Sequence, residues 1–512
     1  MFAENFSKSN SAEERFVLLF KQNFDHRVLF ARLLIILMYL VTGEINIDWL
    51  IVLGDLTLIG TALIFYQYHA AKKMSLLVFF SSICLLFQVQ HYEDSISWAT
   101  CALQHAPVIF LSLLSFHLAL NRKNLYLSGS MAIFSMFTSA NGFCSIVLWL
   151  LIAAVQTNSL KKILLPGLIV TLIAVAHLFT LKVHSGSITQ HMTSDVCNKF
   201  SLLLSFAGLI ADVNILDNIT PSIVLGALFL LPLPIMVIKV IAGKSSEITT
   251  LQWLCGAGIT MLLFTGFLII FTRGDNSDFL GYRMDRYKIY AAYFPLLAIV
   301  FFDEYLSIPG IRKPVCILIP MLSFIFCVGT YYVYYGKITH YQQVITSDQI
   351  NSSWSNTIYN PLIFKNISPK SLFTFQPANH FLRQKSSLEI LLNGINWRSV
   401  KRRVAVQRNE DRHKIVLKNN SFGIGYSPGY DALYIVAVDR AHGLPKYLFV
   451  VDKNYKNSIK QFYTSFKRPI KEGFAHTIFK HKLQNGKYNL SVVAIRKHQI
   501  VNVSRIGEME VR

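Results

Sequence analysis

Four basic side chains, Arg273, Arg283, Arg286 and Lys288, crowd into RGDNSDFLGYRMDRYKIYAAY (273–293), a short polar stretch between two long apolar runs. A guanidinium offers a planar fork of donors that matches the oxygens of a phosphate, which a lysine ammonium does not. Arg273 closes one run, and Arg286, Tyr287 and Tyr290 open the next. A phosphate or pyrophosphate headgroup is the natural partner of such a mouth. The alternative is internal pairing, because Asp275, Asp278 and Asp285 in the same stretch bring its charge near zero.

A second group of residues has the chemistry of proton transfer. QVQHYEDSISWATCALQH (88–105) sets Glu93 and Asp94 beside His91, Trp98 and His105. A carboxylate held within hydrogen-bond reach of an acceptor hydroxyl can take its proton as a general base; otherwise these acids belong to an ordinary polar loop. Glu44, Asp48 and Asp55 form another acidic group, with Asp55 (LGDLTLIG, 53–60) inside an apolar run, where an ionisable residue is a functional candidate. In SANG (139–142), Asn141 can donate to a polar ligand or serve an Asn-Gly turn.

The elements that must hold these residues are membrane spans. The chain of 512 residues is 53% hydrophobic and only 15% charged, with mean hydropathy +0.42, too apolar for a soluble protein of this size. Apolar runs able to cross or nearly cross a ~30 Å hydrocarbon core fall at 28–43, 49–68, 75–90, 106–121, 124–139, 143–157, 163–182, 221–242, 248–272, 288–306 and 314–336. The reading is an α-helical polytopic membrane protein of about eleven spans. Several runs are short and need tilt or local thinning. Residues 1–27 lack a signal-peptide cleavage pattern, so the first span is expected to act as its own targeting signal.

Basic residues set the orientation. Lys72 and Lys73, Arg122 and Lys123, Lys161 and Lys162, Lys239 and Lys244, and Arg312 and Lys313 fall in alternate loops, whereas 44–48, 91–105 and 138–142 contain no Lys or Arg. The first set is therefore expected in the cytoplasm, together with the N-terminus. The pattern holds only if 183–220 stays outside, with Phe200–Ala211 a helix at the interface or dipping in. The candidate sites and the C-terminus then lie on the outer face. Cys101 and Cys197 alone fall in outer loops, so at most one disulfide is expected, and buried thiols are the simpler reading.

Composition breaks near Tyr335. From Lys337 onward there are 28 Lys plus Arg against 10 Asp plus Glu, a surplus of 18 out of the formal net charge of +21. After a connector over 337–385, the runs SLEILLN (387–393), RVAVQ (403–407), HKIVLK (413–418), ALYIVAV (432–438), YLFVV (447–451), HTIFKH (476–481), YNLSVVAI (488–495) and QIVNV (499–503) alternate with turn chemistry. They predict an extracytoplasmic antiparallel β-sandwich over 386–512. Its Lys and Arg suit an anionic lipid or glycan partner, or a plain solvated surface. No aromatic interleaving or nucleic-acid fold signature accompanies them, so nucleic acid is not the expected partner. His91, His105, His184 and His191 lack metal-ligand spacing, and no nucleotide, hydrolase or cofactor motif is present; no metal or cofactor is expected.

Three segments carry a resemblance. LLFQVQHYEDSISWATCALQHAPVIFLSLLSFHLAL (85–120), MAIFSMFTSANGFCSIVLWLL (131–151) and FTRGDNSDFLGYRMDRYKIYAAYF (271–294) resemble, in that order, three patterns in a group of bacterial polytopic membrane proteins similar to GT-C-type glycosyltransferases. These patterns are a Glu before a Trp-containing outer loop, a Ser-Gly/Ala-Asn-Gly turn, and an Arg followed by Arg-Tyr at a late span. The resemblance covers roughly 28–336 and implies a bacterial inner-membrane enzyme using a polyprenyl-phosphate-linked sugar. It favours Glu93, Trp98, Asn141, Arg273, Arg286 and Tyr287, with His91 beside them. GT-C enzymes keep a catalytic acid in a long first outer loop; that loop is short here, which leaves the base open between Glu93 and the Glu44/Asp48 pair. The competing expectations are a flippase or assembly factor for a lipid-linked glycan, and an outer-face polymerase or ligase.

Overall fold

The computed structural model describes residues 6, 9, 11–22, 27–43, 47–90, 99–121, 124–156, 160–180, 196–211, 219–273, 285–306, 312–355, 387–419, 432–455, 470–496 and 499–511. The chain divides into two compact units, Met1–Tyr335 and Gly336–Arg512.

The first unit is helical. After α1 (Ala12–Phe20) come α2 (Leu29–Thr42), α3 (Ile47–Ala70), α4 (Leu76–Leu86), the short α5 (Ala99–Ala102), α6 (His105–Leu120), α7 (Leu125–Thr138), α8 (Phe143–Gln156), α9 (Leu160–Phe179), α10 (Val196–Ala207), α11 (Thr220–Leu230), α12 (Pro232–Ile241), α13 (Thr250–Arg273), α14 (Asp285–Leu306) and α15 (Arg312–Ser355), which runs on into the second unit. Among the described residues four segments, Trp49–Ala70, Lys161–Phe179, Thr220–Ile241 and Thr250–Phe271, are long and apolar enough to cross a membrane, and shorter apolar helices accompany them. The exterior is apolar too: Leu164, Leu172, Phe179 and Ile241 are exposed, an arrangement compatible with a lipid surround, where the interior is set by packing and small-residue contacts rather than by apolarity.

α14 is the central helix. From Tyr287 to Phe301 nearly every side chain is buried, as expected of a helix apolar all round. Phe206 of α10 packs edge-on against Phe294 of α14, with ring centroids 6.0 Å apart. The stretch expected at the interface or dipping in, Phe200–Ala211, is buried toward its end, at Phe206, Ala207, Leu209 and Ile210. The cause is a backbone contact with α11. A Cβ on Gly226 would lie 1.8 Å from the Leu204 carbonyl oxygen, and one on Gly208 1.9 Å from that of Ser222. Cys101 is a buried free thiol.

The second unit adds α16 (Ser387–Asn393) and the strands β1 (Gln407–Glu410), β2 (Lys414–Asn419), β3 (Ala432–Asp439), β4 (Pro445–Val450), β5 (Asp452–Tyr455), β6 (Ile470–Phe479), β7 (Gly486–Arg496) and β8 (Gln499–Val511). They form two four-stranded sheets, β1-β2-β6-β5 and β4-β3-β7-β8, antiparallel throughout. Successive side chains of a strand point to opposite faces, and β3 uses both. Leu433, Ile435 and Ala437 join Ile415, Leu417, Phe474 and Ile478 of the other sheet in one core. Tyr434, Val436 and Val438 face a second core containing Val344, Ile350 and Leu392. The last turns of α15 and α16 thus cover the outer face of β4-β3-β7-β8, which is why β3 is apolar at almost every position.

SLEILLN, expected as a strand, is the helix α16. Its apolar residues fall at helical spacing, Leu388 and Leu392 packing on the sheet, and its Glu389 accepts from Ser353 at 2.8 Å.

Candidate functional site

The three segments singled out in the sequence meet in one hydrogen-bonded group. His105 opens α6, Asn141 sits in the 3-10 turn Ala140–Gly142 between α7 and α8, and Tyr290 lies on α14. The Tyr290 hydroxyl is 2.8 Å from His105 Nδ1 and accepts from Asn141 Nδ2 at 3.2 Å. The same amide nitrogen donates to Thr265 Oγ1 on α13 at 2.9 Å. Gln104 donates to Ser139 Oγ at 3.2 Å. The His105 ring meets Tyr287 and Tyr290 edge-on, at centroid distances of 5.9 and 5.5 Å.

The turn explains Asn141's place. Ser139 leaves the helix with extended φ −159° and ψ 152°, and the Gly142 amide closes the turn on the Ser139 carbonyl at 2.9 Å. A Cβ on Gly142 would stand 2.2 Å from the Ser135 carbonyl oxygen, so only glycine lets the turn fold this closely on α7. The result is an asparagine only 5% exposed among helix ends. Its Oδ1 has no hydrogen-bond partner among the described residues.

The other candidates are placed unevenly. Tyr287 is buried beside His105. Asp48 lies in the first turn of α3, Arg273 at the last residue of α13 and Arg286 in the first turn of α14, with their side chains outside the described set. Glu44, His91, Glu93 and Trp98 lie outside the described residues. Asp55 is half-buried on α3. Two lysines are buried: Lys288 on α14, and Lys199 on α10, which sets its ammonium 4.7 Å over the Phe271 ring near the end of α13.

Thr265 and Lys199 were not foreseen. Thr265 is a lone hydroxyl in an apolar run, with no signal to separate it from a threonine that bonds its own helix. Lys199 was legible only as the one basic residue in the otherwise uncharged stretch 196–211. The described cluster, His105, Asn141, Thr265, Tyr287 and Tyr290, is neutral except for the imidazole's capacity to take a proton, so it is built to orient hydroxyls rather than to grip an anion. Among the described residues no group of three or more His, Cys, Asp or Glu could hold a metal. Comparison with protein families, with curated proteins and with solved structures finds no match for this chain.

Proposed function

We propose that the chain is a membrane glycosyltransferase of the GT-C type, moving a sugar from a polyprenyl-phosphate-linked donor to a glycan or lipid acceptor on the outer face of a bacterial inner membrane. The reading includes about eleven spans, a cytoplasmic N-terminus and an outer β-sandwich. The supporting observation is convergence: the segments ending in His105, containing Asn141 and beginning at Arg286 come together through Tyr290. The phosphate would rest on Arg273 and Arg286, each at a helix end beside that cluster's helices.

In the reaction, the acceptor hydroxyl oxygen bonds to the anomeric carbon while the bond from that carbon to the phosphate oxygen breaks. Polyprenyl phosphate leaves with the electron pair, and the hydroxyl proton passes to Glu93, with Asp48 and Glu44 as the competing bases. Arginine donors aimed at the leaving phosphate matter most as its charge grows. The outer surface of the second unit, rich in Lys and Arg, would meet anionic lipid or glycan.

The alternative is a flippase or assembly factor that holds the lipid-linked glycan without transferring it. Proteoliposomes loaded with a polyprenyl-phosphate hexose separate the two. The enzyme transfers hexose to an acceptor, loses transfer on Glu93→Gln with binding kept, and is affected much less by Asp48→Asn and Glu44→Gln. Binding with no transfer under any acceptor supports the alternative. A reporter fused after Arg512 must also be active on the outer face only; activity in the cytoplasm sinks the orientation on which both readings depend.

A further inference from the structure

The hydrogens around Asn141 can be assigned. The Thr265 hydroxyl donates to the Met261 carbonyl one turn back, at 3.0 Å. Its oxygen can then only accept at Asn141, which fixes the amide with its nitrogen toward Thr265. The second amide hydrogen goes to Tyr290. Both donors of Asn141 are therefore spent inside the protein, and its carbonyl oxygen, buried and without a partner among the described residues, is left as an acceptor. A buried acceptor without a donor loses its hydration with nothing in return, so this geometry is costly unless a ligand completes it.

We propose that Asn141 is the sugar-reading residue of the site, its Oδ1 accepting a hydrogen bond from a hydroxyl of the glycan portion of the ligand. This rests on the reading of the cluster as the binding place of a lipid-phosphate-linked sugar. The missing partner must be a donor, which excludes the phosphodiester of such a ligand because its oxygens only accept. A lipid ammonium donates as well, but it would bring a full charge among the buried, uncharged side chains of Asn141, Thr265 and Tyr290, at a desolvation cost that a neutral donor does not meet. A sugar hydroxyl donates and carries no charge. It can also return a lone pair to the cluster.

The test uses the full chain in nanodiscs free of ethanolamine lipid and three soluble probes: farnesyl phosphate, farnesyl-phosphate hexose, and an alkyl hexoside without phosphate. Asn141→Leu should weaken both hexose probes roughly ten- to a hundredfold and leave farnesyl phosphate unchanged. Thr265→Val, which keeps volume and frees the amide, should weaken the same two several-fold and guards against misfolding of the first variant. Unchanged hexose affinity in both variants means that water satisfies Asn141, and overturns the proposal. An equal loss on farnesyl phosphate overturns it as well. If the wild type binds the alkyl hexoside with an Asn141-dependent affinity but ignores farnesyl phosphate, the sugar-reading role stands and the lipid-phosphate donor falls. Binding of none of the three overturns both.

Discussion

His105 Nδ1 and the Tyr290 hydroxyl lie 2.8 Å apart although 185 positions separate them in sequence, and this bond ties the start of α6 to the central helix. Because the hydroxyl also accepts from Asn141, Tyr290 bonds to both neighbouring segments. Tyr290→Phe removes the hydroxyl with little change of volume. Hydrogen bonds between membrane helices average about 0.6 kcal/mol, so the variant should fold, melt a few degrees lower in detergent, and lose binding of a farnesyl-phosphate hexose far more than it loses stability. Wild-type binding by a fully folded Tyr290→Phe protein would remove the cluster from the site.

A different relationship holds α10 to α11. Gly208 and Gly226 bring the two backbones into contact, and a methyl group at either position would meet a carbonyl oxygen at under 2 Å. Gly226→Ala should therefore force the helices apart and displace Phe206 from Tyr290 and Phe294. Overpacking of this kind costs typically ~1–3 kcal/mol. A thermal melt unchanged by Gly226→Ala, with Ser205→Ala as the mild control, would contradict the contact.

Much of the helical unit is legible from the sequence because each apolar run needs its backbone hydrogen bonds closed within itself; α6, α7 and α13 sit where the runs at 106–121, 124–139 and 248–272 place them. β3 and β7 are legible as well, since β-branched and aromatic runs flanked by turn residues leave little choice. What escapes is whatever depends on a distant partner. SLEILLN is too short for its period to separate helix from strand, and only its packing beside Ile350 and Trp397 makes it a helix. Phe200–Ala211 reads as a helix at the interface or dipping in, and what the sequence does not announce is the pair of facing glycines, Gly208 and Gly226, at its buried end. Asn141 reads as a turn residue, and nothing local announces that Thr265 waits across the bundle to hold its amide.

In the second unit, Asn351 on α15 does the work of an extra strand. Its Oδ1 accepts from the Leu448 amide at 2.5 Å and its Nδ2 donates to the Leu448 carbonyl at 2.8 Å, satisfying both groups that edge strand β4 would otherwise leave open. Ser347 adds a bond to the same carbonyl at 2.6 Å. Asn351→Leu should orphan the buried amide at roughly 1–3 kcal/mol, while Ser347→Ala should be milder because Asn351 still covers the carbonyl. Hydrogen exchange reports it directly: the Leu448 amide should lose protection in Asn351→Leu and keep it in Ser347→Ala. Equal protection in both would mean that the helix shields the edge by burial alone.

The last prediction concerns pH. Burial pushes the Glu410 carboxyl up, but hydrogen bonds from Lys480, at 2.5 Å, and from Arg408 outweigh it and hold the group below the usual range. Asp439 is lowered as well, first by its bond to His442 and then, against a small burial cost, by the amides of Ala441 and His442. A carboxylate whose folded value is depressed binds protons first in the unfolded chain. Its stabilisation is therefore complete above the unfolded value, ~4 for these groups, and is lost as the pH falls through that value toward the folded one. Partly exposed ion pairs contribute ~0–1 kcal/mol, so Glu410→Gln should reduce protection of the β1–β2 amides slightly at pH 7. The gap between wild type and variant should then close as the pH is lowered through 4 toward 3, because the wild-type carboxyl becomes neutral too. A gap that persists undiminished at pH 3 would show that Glu410 acts through shape, and that the Arg408–Glu410–Lys480 contacts contribute no charge-dependent stability.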